Sequence, residues 1–126
     1  MNPEYPIAHF NLGLVYQKKG LINEAITEYK TAIKLKPFYP KAYNNLGLMY
    51  SEKGQIDKAI EKIQEAIKQE PNHPEMQNNL GTMYFKKGLF EESIKVYKKA
   101  FKLNPSSLLK NSTNSDYTDK RLDFTD

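Results

Sequence analysis

Side chains able to do acid–base or metal chemistry are few and scattered in this 126-residue sequence. The two histidines, His9 and His73, have no partner at ligand or acid–base spacing. Glu91, Glu92 and Asp57 read as helix-start acids, placed where the helix dipole favours negative charge. No cysteine is present, which removes disulfides and thiolate metal sites. The glycines stand singly rather than in a phosphate-cradling loop. These residues imply no catalytic group, no metal and no cofactor. What recurs instead is asparagine: Asn11, Asn45 and Asn79 fall 34 residues apart. An asparagine amide is both donor and acceptor, so it can grip a peptide backbone in a bidentate way whatever that peptide's side chains.

The same interval is the period of most of the chain. Shifted by 34 residues, the sequence aligns with itself three times without a gap. Leu12-Gly13, Leu46-Gly47 and Leu80-Gly81 coincide, as do Tyr16, Tyr50 and Tyr84. Gly20, Gly54 and Gly88 follow in phase, then Ala32, Ala66 and Ala100, and then Pro37, Pro71 and Pro105. Each unit reads as two helices. The first is expected over about 7–19, with His9, Leu12, Gly13 and Tyr16 on one face. Gly20 supplies the stop, where a positive φ is cheap. The second is expected over about 23–36, ended by Pro37 and Pro40. Small residues at Gly13, Ala25 and Ala32 let the paired helices approach closely. Neither helix can bury its apolar stripe alone, so successive units must stack.

The pattern His9, Leu12, Gly13, Tyr16, Ala25, Tyr29 and Pro37 resembles the signature of the tetratricopeptide repeat (TPR) family. It returns as Tyr43, Leu46, Gly47, Tyr50, Ala59, Ile63 and Pro71, and again as Gln77, Leu80, Gly81, Tyr84, Ser93, Tyr97 and Pro105. The resemblance implies an all-α fold, a right-handed superhelical solenoid of three repeats over 6–39, 40–73 and 74–107. Gln77 cannot fill an aromatic slot, so the third repeat is expected to be the loosest. Residues 1–5 carry a linker in the phase where a preceding repeat would end, which predicts a segment of a longer array. Residues 108–126 break the pattern; the turn-forming run from Asn111 to Asp116 predicts a disordered or loosely packed tail, with Leu108 and Leu109 against the last helix.

The resemblance also implies where a ligand would lie. In such a stack the first helices line the concave face, so residues 34 apart form rungs about 8–10 Å apart. Asn11, Asn45 and Asn79 then form a ladder that meets an extended peptide at roughly every third residue. Each hydrogen bond is worth only about 0.5–1.5 kcal/mol net, so flanking pockets must supply selectivity. Their expected lining is Phe10, Asn44 and Asn78, then Leu14, Leu48 and Thr82, with Lys41 beside them. Phe10, Leu14 and Leu48 predict an apolar N-terminal half. A carboxylate clamp for chaperone tails would need Lys and Asn in the first repeat, Asn in the second, and Lys and Arg in the third. The corresponding slots hold Phe10, Leu14, Asn45, Glu75 and Asn79, which predicts against that role. The ladder is similar to the TPR superhelix of O-linked N-acetylglucosamine transferases, which implies recruitment of protein substrates for a catalytic domain elsewhere.

Charge and hydropathy narrow the remaining classes. The net charge is +4, yet the only arginine is Arg121, whereas phosphate and guanine recognition favour arginine. The lysines alternate with glutamates as a solvated surface, and no nucleic acid is expected. No apolar run approaches the ~18 residues that span a bilayer, and no signal-peptide core is present, so an intracellular protein with no membrane partner is expected. The reading is a protein-interaction module that takes a protein or peptide ligand. The competing class is self-assembly, a homodimer through the exposed end helices, with Ser93, Tyr97 and Phe101 meeting another copy.

Overall fold

The computed structural model describes residues 5–103. Six helices run in order: α1 Pro6–Lys18, α2 Ile22–Leu35, α3 Pro40–Glu52, α4 Ile56–Gln69, α5 Pro74–Lys87 and α6 Phe90–Leu103. The expected helices over 7–19 and 23–36 each begin and end one residue earlier. No strand occurs among the described residues. The expected tail over 108–126 and most of the 1–5 linker lie outside them.

Proline and glycine set the boundaries. Pro6, Pro40 and Pro74 occupy the first position of α1, α3 and α5. A missing N–H costs nothing there, and the fixed φ suits the helix. Tyr5, Tyr39 and His73 precede them and supply no side-chain cap. Pro40 therefore opens α3 rather than ending α2, which has already stopped at Leu35. At the other end of each first helix the chain turns through a left-handed glycine, as at Gly54 (φ +81°). Gln55 N then donates to Tyr50 O at 2.9 Å and Gly54 N to Ser51 O at 2.9 Å, closing the last turn.

Within a repeat the two helices are drawn together where one has no side chain. A Cβ on Gly47 would stand 2.7 Å from Ile63 Cγ1 and 3.0 Å from the Ala59 carbonyl oxygen. Ala25, Ala32, Ala59, Ala66 and Ala100 on the second helices are fully buried for the same reason. Between repeats the contact is large and apolar. Ile26, Tyr29, Leu46, Met49, Ile60, Ile63, Leu80 and Met83 form one cluster running through all three units. The molecule is an all-α repeat solenoid. The same stripe is uncovered at its ends, where Leu12, Val15, Ile94 and Phe101 are exposed.

Two departures from the repeat pattern are absorbed. Ser93, in a slot expected to hold alanine, donates its hydroxyl to the Gly81 carbonyl at 2.8 Å. Gln77 is only 3% exposed, and Met76 and Met83 of the same helix are buried beside it. The polar side chain closes the slot, so the third repeat is not left open there as expected. His9 stays half-buried, with Nδ1 2.7 Å from Glu28 Oε1 of the partner helix.

The two kinds of glycine make separable predictions. Gly47→Ala should cost about 1–3 kcal/mol, because Ile63 and the Ala59 backbone must both give way. Gly54→Ala meets no atom and should cost only about 1–2 kcal/mol, from the left-handed backbone alone. Urea denaturation of both variants checks the order.

Candidate functional site

The side chains of α1, α3 and α5 that face away from the core make a polar seam. Its hydrogen bonds run diagonally. Asn79 Nδ2 donates to Asn44 Oδ1 at 3.0 Å, and Asn44 Nδ2 to Asn45 Oδ1 at 3.4 Å. Asn45 Nδ2 donates to the Tyr29 hydroxyl at 3.4 Å, and that hydroxyl donates to Gln17 Oε1 at 2.5 Å. One chain of four hydrogen bonds thus crosses from the third repeat to the first. Burial raises the Tyr29 pKa above its ordinary 10.0, and the Asn45 hydrogen bond pulls more weakly the other way.

Beside this chain a cavity of about 190 Å³ opens between the three helices. Gln17 lines it from α1, Leu48, Met49 and Ser51 from α3, and Asn79, Thr82, Met83 and Lys86 from α5. Lys86 Nζ donates to Ser51 Oγ at 3.1 Å across its mouth. Thr82 donates to the Asn78 carbonyl at 3.1 Å, and the Tyr97 hydroxyl lies 2.8 Å from Thr82 Oγ1. With the threonine proton committed to Asn78, the tyrosine is the donor in that second contact.

The expected lining residues divide into three groups. Asn45 and Asn79, two of the three expected rungs, come together through Asn44 as links of one hydrogen-bonded chain. Leu48 and Thr82 line the cavity, and Asn78 is half-buried next to it. Asn11, Leu14 and Lys41 are exposed and outside the hydrogen-bonded chain. Phe10 leaves the face altogether. Its ring packs 5.7 Å from Tyr29 and 5.2 Å from Tyr39 (centroid distances), in the seam between the first two repeats. Two aromatic neighbours bury a phenyl ring better than an open face can.

Sequence reasoning missed Gln17, Ser51, Lys86 and Tyr29 as members of this face. Part of the signal was available: Gln17 and Ser51 fall 34 residues apart, in the same period that lines up the asparagines, whereas Lys86 lies one position off that column. It also missed a larger cleft, about 400 Å³, on the opposite side. Lys30, Lys34, Lys58 and Lys62 rim it over a floor of Ile33, Leu46 and Tyr50. Two lysine pairs at i,i+4 spacing on adjacent second helices were the legible sign. Among the described residues no group of three or more His, Asp or Glu is placed to hold a metal ion. Nor is any helix there long and apolar enough to cross a membrane.

A family model described as TPR repeat matches residues 18–54 and 47–88, and one described as tetratricopeptide repeat matches residues 74–107. No curated protein matches the chain. Among solved structures, a crystal structure of MamA is 30% identical with a TM-score of 0.80, covering 86% of this chain and 63% of that one. A second MamA crystal structure is also 30% identical, with a TM-score of 0.77 and coverage of 91% and 61%. The present chain therefore spans less than two thirds of the length of either. The first TPR of Spaghetti (RPAP3), solved with the HSP90 peptide SRMEEVD, has a TM-score of 0.79 at 21% identity, covering 89% of this chain and 94% of that one. At that identity the likeness concerns the fold alone.

Tyr29 anchors a prediction on pH. Burial raises the pKa of Tyr29, of Tyr39, and of Tyr43, where the Glu65 charge adds to burial. Groups raised on folding contribute stability that is whole below the unfolded value of 10.0 and is lost as pH rises through the folded value. Tyr29→Phe should therefore flatten the alkaline loss of stability and, by opening the hydrogen-bonded chain, cost about 0.5–1.5 kcal/mol at neutral pH. Urea midpoints at ~pH 7 and ~pH 11 test both effects.

Proposed function

The chain belongs to the tetratricopeptide repeat family, and from that premise we propose that it binds an extended protein segment along the face formed by α1, α3 and α5. The observation that carries this reading is the cavity lined from all three first helices, with the hydrogen-bonded asparagines at its side. Its size, about 190 Å³, suits one medium apolar side chain set against Leu48, Met49 and Met83. The amides beside it keep spare valences. An asparagine offers two donor hydrogens and two acceptor lone pairs, and each here uses only part of that capacity. A peptide backbone laid across them would meet groups already fixed in place, which lowers the ordering cost of binding.

The proposed ligand is not a chaperone tail held by a carboxylate clamp. The RPAP3 neighbour was solved with a peptide ending in EEVD. Here the matching slots hold Phe10, packed between two tyrosines, and Glu75, whose charge opposes a carboxylate. In this reading the protein is intracellular and carries no catalytic step of its own. Its likeness to the substrate-recruiting superhelix of O-linked N-acetylglucosamine transferases rests on the asparagine column alone, and adds that the bound segment is presented to a catalytic domain elsewhere.

Selection from a displayed random-peptide library tests the proposal. Binders should share one apolar position. They should lose tenfold or more of their affinity, about 1.4 kcal/mol, with Leu48→Lys or the Asn45→Ala, Asn79→Ala pair. Lys34→Glu on the opposite face should leave them unchanged. A peptide ending in EEVD should not bind. Selected peptides indifferent to every variant on α3 and α5 would place recognition elsewhere.

A further inference from the structure

The two ends of the solenoid are the two halves of one junction. At the internal junctions the first helix offers Leu46 and Met49, or Leu80 and Met83, each at most 5% exposed. The same positions in α1 are Leu12 at 40% and Val15 at 54%. On the opposing side Ile26 and Ile60 are 8% and 9% exposed, whereas their equivalent in α6, Ile94, is 49% exposed. What α1 leaves uncovered is what α6 is shaped to cover. We infer that copies of this chain stack head to tail, α6 of one against α1 of the next, continuing the 34-residue register.

The polar pairs that cross the internal junctions say why a second copy, rather than any apolar partner, fits there. Asp57 pairs with Lys87 across the second junction. One repeat further on, the same positions are Glu91 and the next copy's Lys19, again an acid facing a lysine. Asn79 donates to Asn44; one repeat on, Asn11 of the next copy meets Asn78. Asn45 donates to the Tyr29 hydroxyl, which itself donates to Gln17. Two repeats on, Asn11 meets Tyr97, whose hydroxyl already donates to Thr82 and so has lone pairs to accept with. Two further crossing bonds change type: Gln64–Tyr84 becomes Lys98 facing Tyr16, and Ser51–Lys86 becomes Phe85 facing Lys18. Both replacements bring a lysine to an aromatic ring, a contact that is also attractive.

The contact is heterologous, so it propagates instead of closing on itself at two copies.

Sedimentation and light scattering of the full chain across a concentration series test the proposal. The average mass should rise with concentration beyond two chains. Val15→Asp and Ile94→Asp lie on opposite ends and are half-exposed in one copy, so each should fold, with an unchanged helical spectrum, yet stay at one chain. Mixed in equal amounts they should form a complex of two chains and stop, because each supplies the face the other lacks. Lys19→Glu or Glu91→Lys alone should weaken assembly, and the two together in one chain should restore it. A constant mass of one chain at every concentration would falsify the stacking. So would a mixture of the two aspartate variants that remains monomeric, or either variant assembling alone as wild type does.

Discussion

Each helix pair in this chain has one apolar side too many. The α3/α4 pair closes on itself through Gly47, Ala59, Ile63 and Ala66, and that contact consumes only the inner face of each helix. Leu46 and Met49 on α3 and Ile60 on α4 are buried, whereas their equivalents Leu12, Val15 and Ile94 at the outer ends are exposed. Burying such a side chain is worth about 1.5–3 kcal/mol, and only a neighbouring repeat can supply the cover. The core is therefore a string of junctions, each joining one second helix to the next first helix, and stability passes from neighbour to neighbour along it. Glycine at positions 13, 47 and 81 keeps every pair thin enough for the string to continue in register.

How much of this was legible follows from which forces act at which distance in sequence. The period, the six helices and the close-approach glycines were all readable, because each depends on residue type at a fixed spacing. Phe10 was not. Its phase puts it with Asn44 and Asn78, but a phenyl ring follows the nearest aromatic surface, and Tyr29 and Tyr39 lie within reach. The asparagine network was missed for a different reason. Asn44 and Asn79 are 35 residues apart, so the bond between them cuts across the columns that a 34-residue comparison lines up. Hydrogen bonds are decided within about 3 Å, and the repeat period specifies helix positions more coarsely than that. His9 and Glu28 meet across α1 and α2 on the same terms.

The network changes what the asparagine column is for. Three independent amides would each have to be ordered when a ligand arrives. Linked through Asn44 and the Tyr29 hydroxyl, Asn45 and Asn79 hold one another in a single arrangement before any ligand is present, and the half-buried setting strengthens each bond in the chain. The same links staple the repeats together on the side opposite the lysine-rimmed cleft, where the packing is apolar. A side chain such as Asn45 thereby serves the junction and the exposed face at once, and substituting it disturbs both.

That double use bears on how binding and stacking relate. The row α1, α3, α5 ends at Asn78, with Tyr97 on the following α6, on one side and at Asn11 on the other. These are the residues that stacking would join by the bonds already made inside. A second copy placed in register would therefore lengthen the polar seam as well as cover Leu12 and Ile94. Asn11, exposed and outside the network in a single copy, would take the role that Asn45 and Asn79 play within it. Its isolation in one chain and its match to the far end are two consequences of the same 34-residue register. The face and the ends of the solenoid follow from one constraint, since every surface left by one repeat is complementary to the repeat that would come next.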